Sequence, residues 1–109
     1  MITREDLSPG QQAIQAAHAL RQFTAEHPEI DKAWFEKSNT LALLGVKNEA
    51  ALGVIHKKAL CRDIPVAAFR EPDRDNELTA IAIGPTGKQL TKNLPLALRD
   101  PSPQKQPDH

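Results

Sequence analysis

A three-layer α/β/α sandwich with a four-stranded mixed sheet is the fold this sequence predicts, and three observations predict it. Short apolar runs alternate with segments of helical periodicity in the order strand, helix, strand, helix, strand, strand, helix. The helical stretch between Val46 and Ile64 is long enough to cross over between parallel strands, a connection that takes the right-handed sense. The connection from Phe69 to Leu78 is short enough for a hairpin. Parallel and antiparallel pairing in one sheet make it mixed.

Met1–Arg4 is a brief strand or a lead-in, with Met1, Ile2 and Thr3 favouring the strand. A helix start follows: Ser8 suits the N-cap, Pro9 the first helical position, and Gln11 the reciprocal capping-box position. Ala13, Ile14, Ala16, Ala17, Leu20 and Phe23 then recur at helical spacing as the inward face. Gln15 and His18, three apart, project from neighbouring positions. Pro28 stops this helix, and Glu29–Glu36 reads as a short helical turn carrying Trp34 and Phe35. These two aromatics either cover the core or anchor a dimer. The core is favoured, because a small domain seldom has large aromatics to spare.

Ser38-Asn39 breaks the chain before the apolar run Thr40–Val46, whose continuity predicts a strand buried on both faces. Asn48 can cap a helix from Glu49 to about Leu60, with Leu52, Ile55 and Leu60 inward. Lys47, Lys57, Lys58 and Arg62 gather positive charge around it, mostly at the C-terminal end, where cations complement the helix dipole. Ile64–Phe69 and Leu78–Ile83 are the last two strands. Thr86 caps a final helix through Lys92 with Leu90 inward, and Asn93–Leu98 trails off. The domain is therefore expected over residues 1–98, and the proline-rich, polar stretch 99–109 is expected to be a disordered tail.

At 109 residues and 39% hydrophobic content, the chain suits one small domain whose core comes from Ala, Leu, Ile and Val. Fourteen basic residues balance fourteen acidic ones, so overall charge draws it to neither nucleic acid nor an anionic membrane. Any such binding needs a local patch. Cys61 is the single cysteine, which excludes an internal disulfide and suits a reducing compartment. No run approaches the ~18 apolar residues of a membrane span, and no signal-peptide core is present. The expected protein is soluble, cytoplasmic and without a membrane partner.

The stretch Phe69–Pro85 is the place to look for chemistry. It joins two strands through Arg70, Glu71, Asp73, Arg74, Asp75, Asn76 and Glu77, so these groups stand on a rigid rim open to solvent. Gly84-Pro85-Thr86-Gly87-Lys88 lacks the glycine spacing of a phosphate loop, and Gln89 stands where a Ser or Thr is required. The four histidines show no metal spacing, and no serine sits in a nucleophile elbow. What remains is His18, whose imidazole is a residue type able to hold or relay a proton, and Glu71, which can orient His18 or activate water directly.

Two segments read together carry a resemblance. Arg4 to Ala19, R-E-D-L-S-P-G-Q-Q-A-I-Q-A-A-H-A, and Arg70 to Pro85, R-E-P-D through L-T-A-I-A-I-G-P, are similar in order and separation to the two motifs of the second (archaeal/eukaryotic-type) class of peptidyl-tRNA hydrolases. The resemblance covers about residues 1–98. It implies an enzyme that cleaves the ester joining a peptide to the terminal ribose of tRNA, needs no cofactor and often forms a homodimer. On it, His18 matches the family histidine, Gln15 the preceding glutamine, Arg4 and Asp6 the opening Arg and Asp, and Thr79 the second threonine before Gly84 and Pro85. It further implies that His18 and Glu71 position or deprotonate water, while Thr79, Gln15 or backbone N–H groups support the oxyanion. Substrate binding then falls to Gln11, Gln15, Arg70, Arg74 and Asp6, with a basic rim of Arg70, Arg74 and the Lys57–Arg62 cluster. Two departures stand out: Gln11 replaces the family lysine, and Glu71 the family Asp. The alternatives are a non-catalytic module that binds the tRNA end or another ligand, and an esterase for a different substrate.

Overall fold

The computed structural model describes residues 1–99, so the expected tail lies, apart from Arg99, outside the described residues. The elements are β1 (Ile2–Arg4), α1 (Pro9–Glu26), α2 (Pro28–Lys37), β2 (Leu44–Val46), α3 (Glu49–Cys61), β3 (Val66–Glu71), β4 (Glu77–Ile83) and α4 (Lys88–Thr91). The sheet order is β2-β1-β4-β3, with β1 and β2 parallel and the other pairs antiparallel. It is the expected four-stranded mixed sheet. α3 carries the chain from the β2 edge to the β3 edge.

Alternation along the strands builds two cores. Ile2, Val46, Val66, Leu78 and Ile81 meet Leu52 and Ala59 of α3 on one face. Ala67, Ala80 and Ala82 meet Ala19 and Phe23 of α1 on the other. The small side chains of the second set let α1 lie close to the sheet. Phe23 fills what space remains, 1% exposed and edge-on to Trp34 with ring centroids 6.3 Å apart. Gly84 and Gly87 are needed for close approach here. A Cβ on Gly84 would stand 3.3 Å from Phe23 Cζ, and one on Gly87 would collide with Ile83 Cγ2.

Several expectations are corrected. The inward face of α1 is Gln12, Gln15, Ala16, Ala19 and Phe23, whereas Ala13, Ala17 and Ile14 are exposed. Two glutamines displace apolar residues: Gln15 is hydrogen-bonded at both ends of its amide, while Gln12 Nε2 donates to the Leu7 carbonyl at 2.8 Å and its buried Oε1 has no partner among the described residues. Ser8 Oγ accepts from Gln11 N as expected, but the Gln11 side chain accepts from Gln15 instead of reaching back. Glu29–Glu36 is part of a ten-residue helix with no buried residue, and Phe35 is 65% exposed, so it is not core. Trp34 is half-buried, its Nε1 donating to the Thr40 carbonyl.

The run Thr40–Val46 is strand only over Leu44–Val46, at the sheet edge, with Thr40, Leu41 and Ala42 exposed. Apolar continuity does not require a long buried strand: only the last three residues of the run enter the sheet. Ala59 takes the inward place expected of Leu60, which is exposed, because the 3.6-residue period from Leu52 reaches Ala59. The last helix is a 3-10 turn, Pro85–Gly87, followed by the four residues of α4; Gly87 stands at the cap and Thr86 does not cap. Beyond it the chain returns along β2: Gly45 N donates to the Pro95 carbonyl, and Ala97 N to the Leu43 carbonyl. The stretch expected to trail off instead covers part of that edge.

Candidate active site

The register of β3 against β4 shifts by one residue: Phe69 faces Ala80, while Arg70 faces Leu78. Thr79 is the extra residue of a β-bulge. Leu78 packs with the α3 core and Ala80 with the α1 core, and the bulge lets Thr79 turn towards α1 as well. Without it, strict alternation would place Thr79 on the other face.

From this bulge a hydrogen-bond chain runs to the rim. Thr79 Oγ1 donates to Gln15 Oε1 at 2.7 Å, and Gln15 Nε2 donates to Glu71 Oε1 at 2.8 Å. The amide orientation follows from chemistry, since a carboxylate can only accept. Gln15 Nε2 also reaches Gln11 Oε1 at 3.3 Å. Thr79 and Gln15 are buried, 0% and 1% exposed. Their polar atoms are committed to this chain, so they hold Glu71 in place and do not present donors to solvent. Glu71 is half-buried; its Oε2 accepts from Asp73 N at 3.3 Å, capping the 3-10 turn Pro72–Arg74. The Gln15 hydrogen bond chiefly, then the Asp73 N–H and the nearby charges of His18 and Arg74, hold the Glu71 carboxyl below its ordinary range. Glu71 is therefore an anion at neutral pH, fixed at both oxygens yet open to water.

Four further side chains fasten the bulge. Arg4 NH1 donates to the Leu78 carbonyl at 3.2 Å, and Thr3 Oγ1 to the Thr79 carbonyl at 3.2 Å. Glu49, at the start of α3 on the opposite face, accepts from Leu78 N at 2.9 Å. Glu77 binds Arg4 NH1 at 2.8 Å and Arg74 Nε at 3.3 Å. Glu49→Ala is expected to lower stability by about 1–2 kcal/mol, since it strands the Leu78 N–H. Glu49→Gln keeps an acceptor and should recover most of that loss in a thermal melt.

The remaining expected site residues are placed as follows. His18 is exposed, its ring stacked on Phe69 with centroids 4.5 Å apart and planes 14° apart; no hydrogen bond joins it to Glu71 among the described residues. Asp6 is held by Arg4 through two bonds of 2.9 Å, so it serves a buried arginine and does not stand free for a substrate. Arg4, 5% exposed, lowers the carboxyl pKa of both Asp6 and Glu77, and its own pKa is raised. Arg74 stays on the rim. Arg70 does not join the cluster: it pairs with Leu78 on the α3 face, where its charge, after burial, lowers the His56 pKa. The Lys57–Arg62 cluster is likewise absent, because α3 starts at this rim with Glu49 and runs towards the other end of the sheet. The expected basic rim of Arg70, Arg74 and that cluster is not formed.

Sequence reasoning missed Phe69, Glu49 and Thr3. Alternation back from Glu71 places Phe69 on its face, but nothing local marks Glu49, which acts from another layer. A cleft of about 320 Å³ lined by Met1, Trp34, Leu41, Ile83 and Pro85 lies at the far end of the sheet. Its walls are largely apolar and none of the Thr79–Gln15–Glu71 chain enters it, so the chemistry is assigned to the rim. Among the described residues, no cluster of His, Cys, Asp or Glu could hold a metal ion, and no helix is long and apolar enough to cross a membrane.

A family model described as peptidyl-tRNA hydrolase PTH2 matches residues 1–99. No curated protein matches the chain.

Proposed function

We propose, from the premise that this chain belongs to the peptidyl-tRNA hydrolase PTH2 family over residues 1–99, that it hydrolyses the ester between a peptide and the terminal ribose of tRNA. The observation that carries the reading is the Thr79–Gln15–Glu71 chain, which presents one anchored carboxylate at an open rim. Ester hydrolysis needs a water aimed at the carbonyl carbon and donors for the oxyanion that follows. Glu71 supplies the first. Its lowered pKa suits it to holding water by hydrogen bond and to accepting the proton only as the O–C bond forms. That proton then passes to the ribose oxygen as the ester bond breaks.

Donors for the oxyanion come from the first turn of α1. Gln11 Oε1 accepts from Gln15 Nε2, the same nitrogen that donates to Glu71, and Gln11 Nε2 has no partner among the described residues. The Gly10 N–H is one of the donors without an intrahelical partner, and the positive end of the helix dipole reinforces both. In this reading Gln11 acts as a neutral donor in the place of the family lysine. Gln11→Ala is expected to lower kcat about 10²-fold with the fold unchanged, the loss typical of one oxyanion donor. Release of peptide from peptidyl-tRNA by the purified protein is the decisive test. Folded protein that binds peptidyl-tRNA without turnover would replace the hydrolase reading with a binding role.

A further inference from the structure

Among the described residues, the His18 side chain takes part in no hydrogen bond, and its contact is with Phe69. Its ring lies nearly parallel to Phe69, 4.5 Å away, so one face is backed by an aromatic and the other is open. Phe69 sits two residues before Glu71 on β3, the edge strand of the sheet, and the His18 charge acts on the Glu71 carboxyl. A flat, solvent-facing ring beside the reacting carboxylate is suited to stacking, since every nucleobase offers a planar face.

The next turn of α1 extends the pattern. Gln15, His18 and Arg21 follow at three-residue intervals along neighbouring positions, so Arg21 lies about 9 Å from Gln15 along the axis. Arg21 is exposed and belongs to no ion pair among the described residues. The carboxylate on β3, the flat ring on α1 and the cation, turned about 60° further round the helix, thus succeed one another outward from the rim, in the order of ester, base and phosphate at the end of a nucleic-acid strand.

We propose that the open face of His18, backed by Phe69, is a subsite that stacks the nucleobase of the ester-bearing nucleotide, with Arg21 meeting the phosphate before it. The proposal rests on the peptidyl-tRNA reading and gives His18 a binding task in place of proton transfer. Its test uses an N-blocked aminoacyl ester of a short 3′-terminal oligonucleotide, intact or with the last base removed. With wild type, removal of the base is expected to raise KM about 5- to 150-fold, the range of one stacked base. In His18→Ala the intact ester should show the same high KM with kcat little altered, whereas His18→Phe should keep the discrimination. Arg21→Ala should reduce the slope of log KM against log salt by about 0.7, one single-strand phosphate contact. Equal KM for both esters with wild type would overturn the proposal, as would loss of kcat in His18→Ala with base discrimination intact. Should wild type cleave neither ester, the ring-proton NMR signals of His18 decide. An upfield shift on titration with the oligonucleotide lacking the aminoacyl ester keeps the platform while the hydrolase reading falls; no shift overturns the platform too.

Discussion

Glu71→Gln is expected to lower peptide release about 10²–10⁴-fold, the usual worth of a general base, with the fold retained. The substitution is conservative in shape. A glutamine Oε1 at this position can still accept from Gln15 Nε2, so the Thr79–Gln15 chain survives and the loss reports charge and basicity. The pH dependence carries a sign that checks the same group. Its folded pKa lies below the ordinary 4.5, so the anion persists as pH falls to that value, and the acid limb of activity belongs below 4.5. A group with a depressed folded pKa contributes to stability above its unfolded pKa, and that contribution is lost as pH falls through the folded value. Glu71→Gln should therefore remove the acid limb of any residual activity as well as most of the rate. Unchanged turnover in this variant would exclude Glu71 from the chemistry.

Arg4→Met is expected to cost about 3 kcal/mol, the low end for breaking a buried ion pair because Asp6 and Glu77 keep contact with water. For a domain of this size that lowers Tm by about 12–24 °C. Arg4 is 5% exposed and donates to Asp6, Glu77 and the Leu78 carbonyl, so its removal frees two carboxylates and loosens the bulge at once. The acid dependence should change too. Arg4 depresses the pKa of both Asp6 and Glu77, so wild type loses that stabilisation as pH falls below their ordinary values, 3.8 and 4.5. The variant should show a flatter profile of stability against pH in that window. A melt unaffected by Arg4→Met would show that the bulge needs no arginine, leaving Thr3 and Glu49 to hold it.

The placement of Arg4 also shows where a motif stops being informative. Its pairing with Asp6 is two residues apart, but what the guanidinium does depends on β4 lying beside it. Asp6 looks like a binding group in the sequence, whereas in the fold it belongs to a buried arginine. The same holds for Thr79 and Gln15. As residue types they suit an oxyanion hole; folded, Thr79 has spent its hydroxyl on Gln15, and Gln15 its amide on Thr79 and Glu71.

The order of strands and helices, the Ser8 and Asn48 caps and the mixed sheet were set by local chemistry, while the pairing of the α1 segment with the Phe69–Pro85 hairpin was legible only through the resemblance to the family's two motifs. Caps need one side-chain oxygen at one position, and apolar periodicity survives whatever the neighbours are. The exposure of Phe35, the edge position of Leu44–Val46, the departure of Arg70 to the α3 face and the aim of Thr79 were decided only by tertiary contacts. A single extra residue in β4 reverses the face of everything beyond it, and a buried glutamine is tolerated only where a partner from another element meets it. Those partners, Thr79 and Glu71, lie more than fifty residues from Gln15, a distance across which no local pattern carries information.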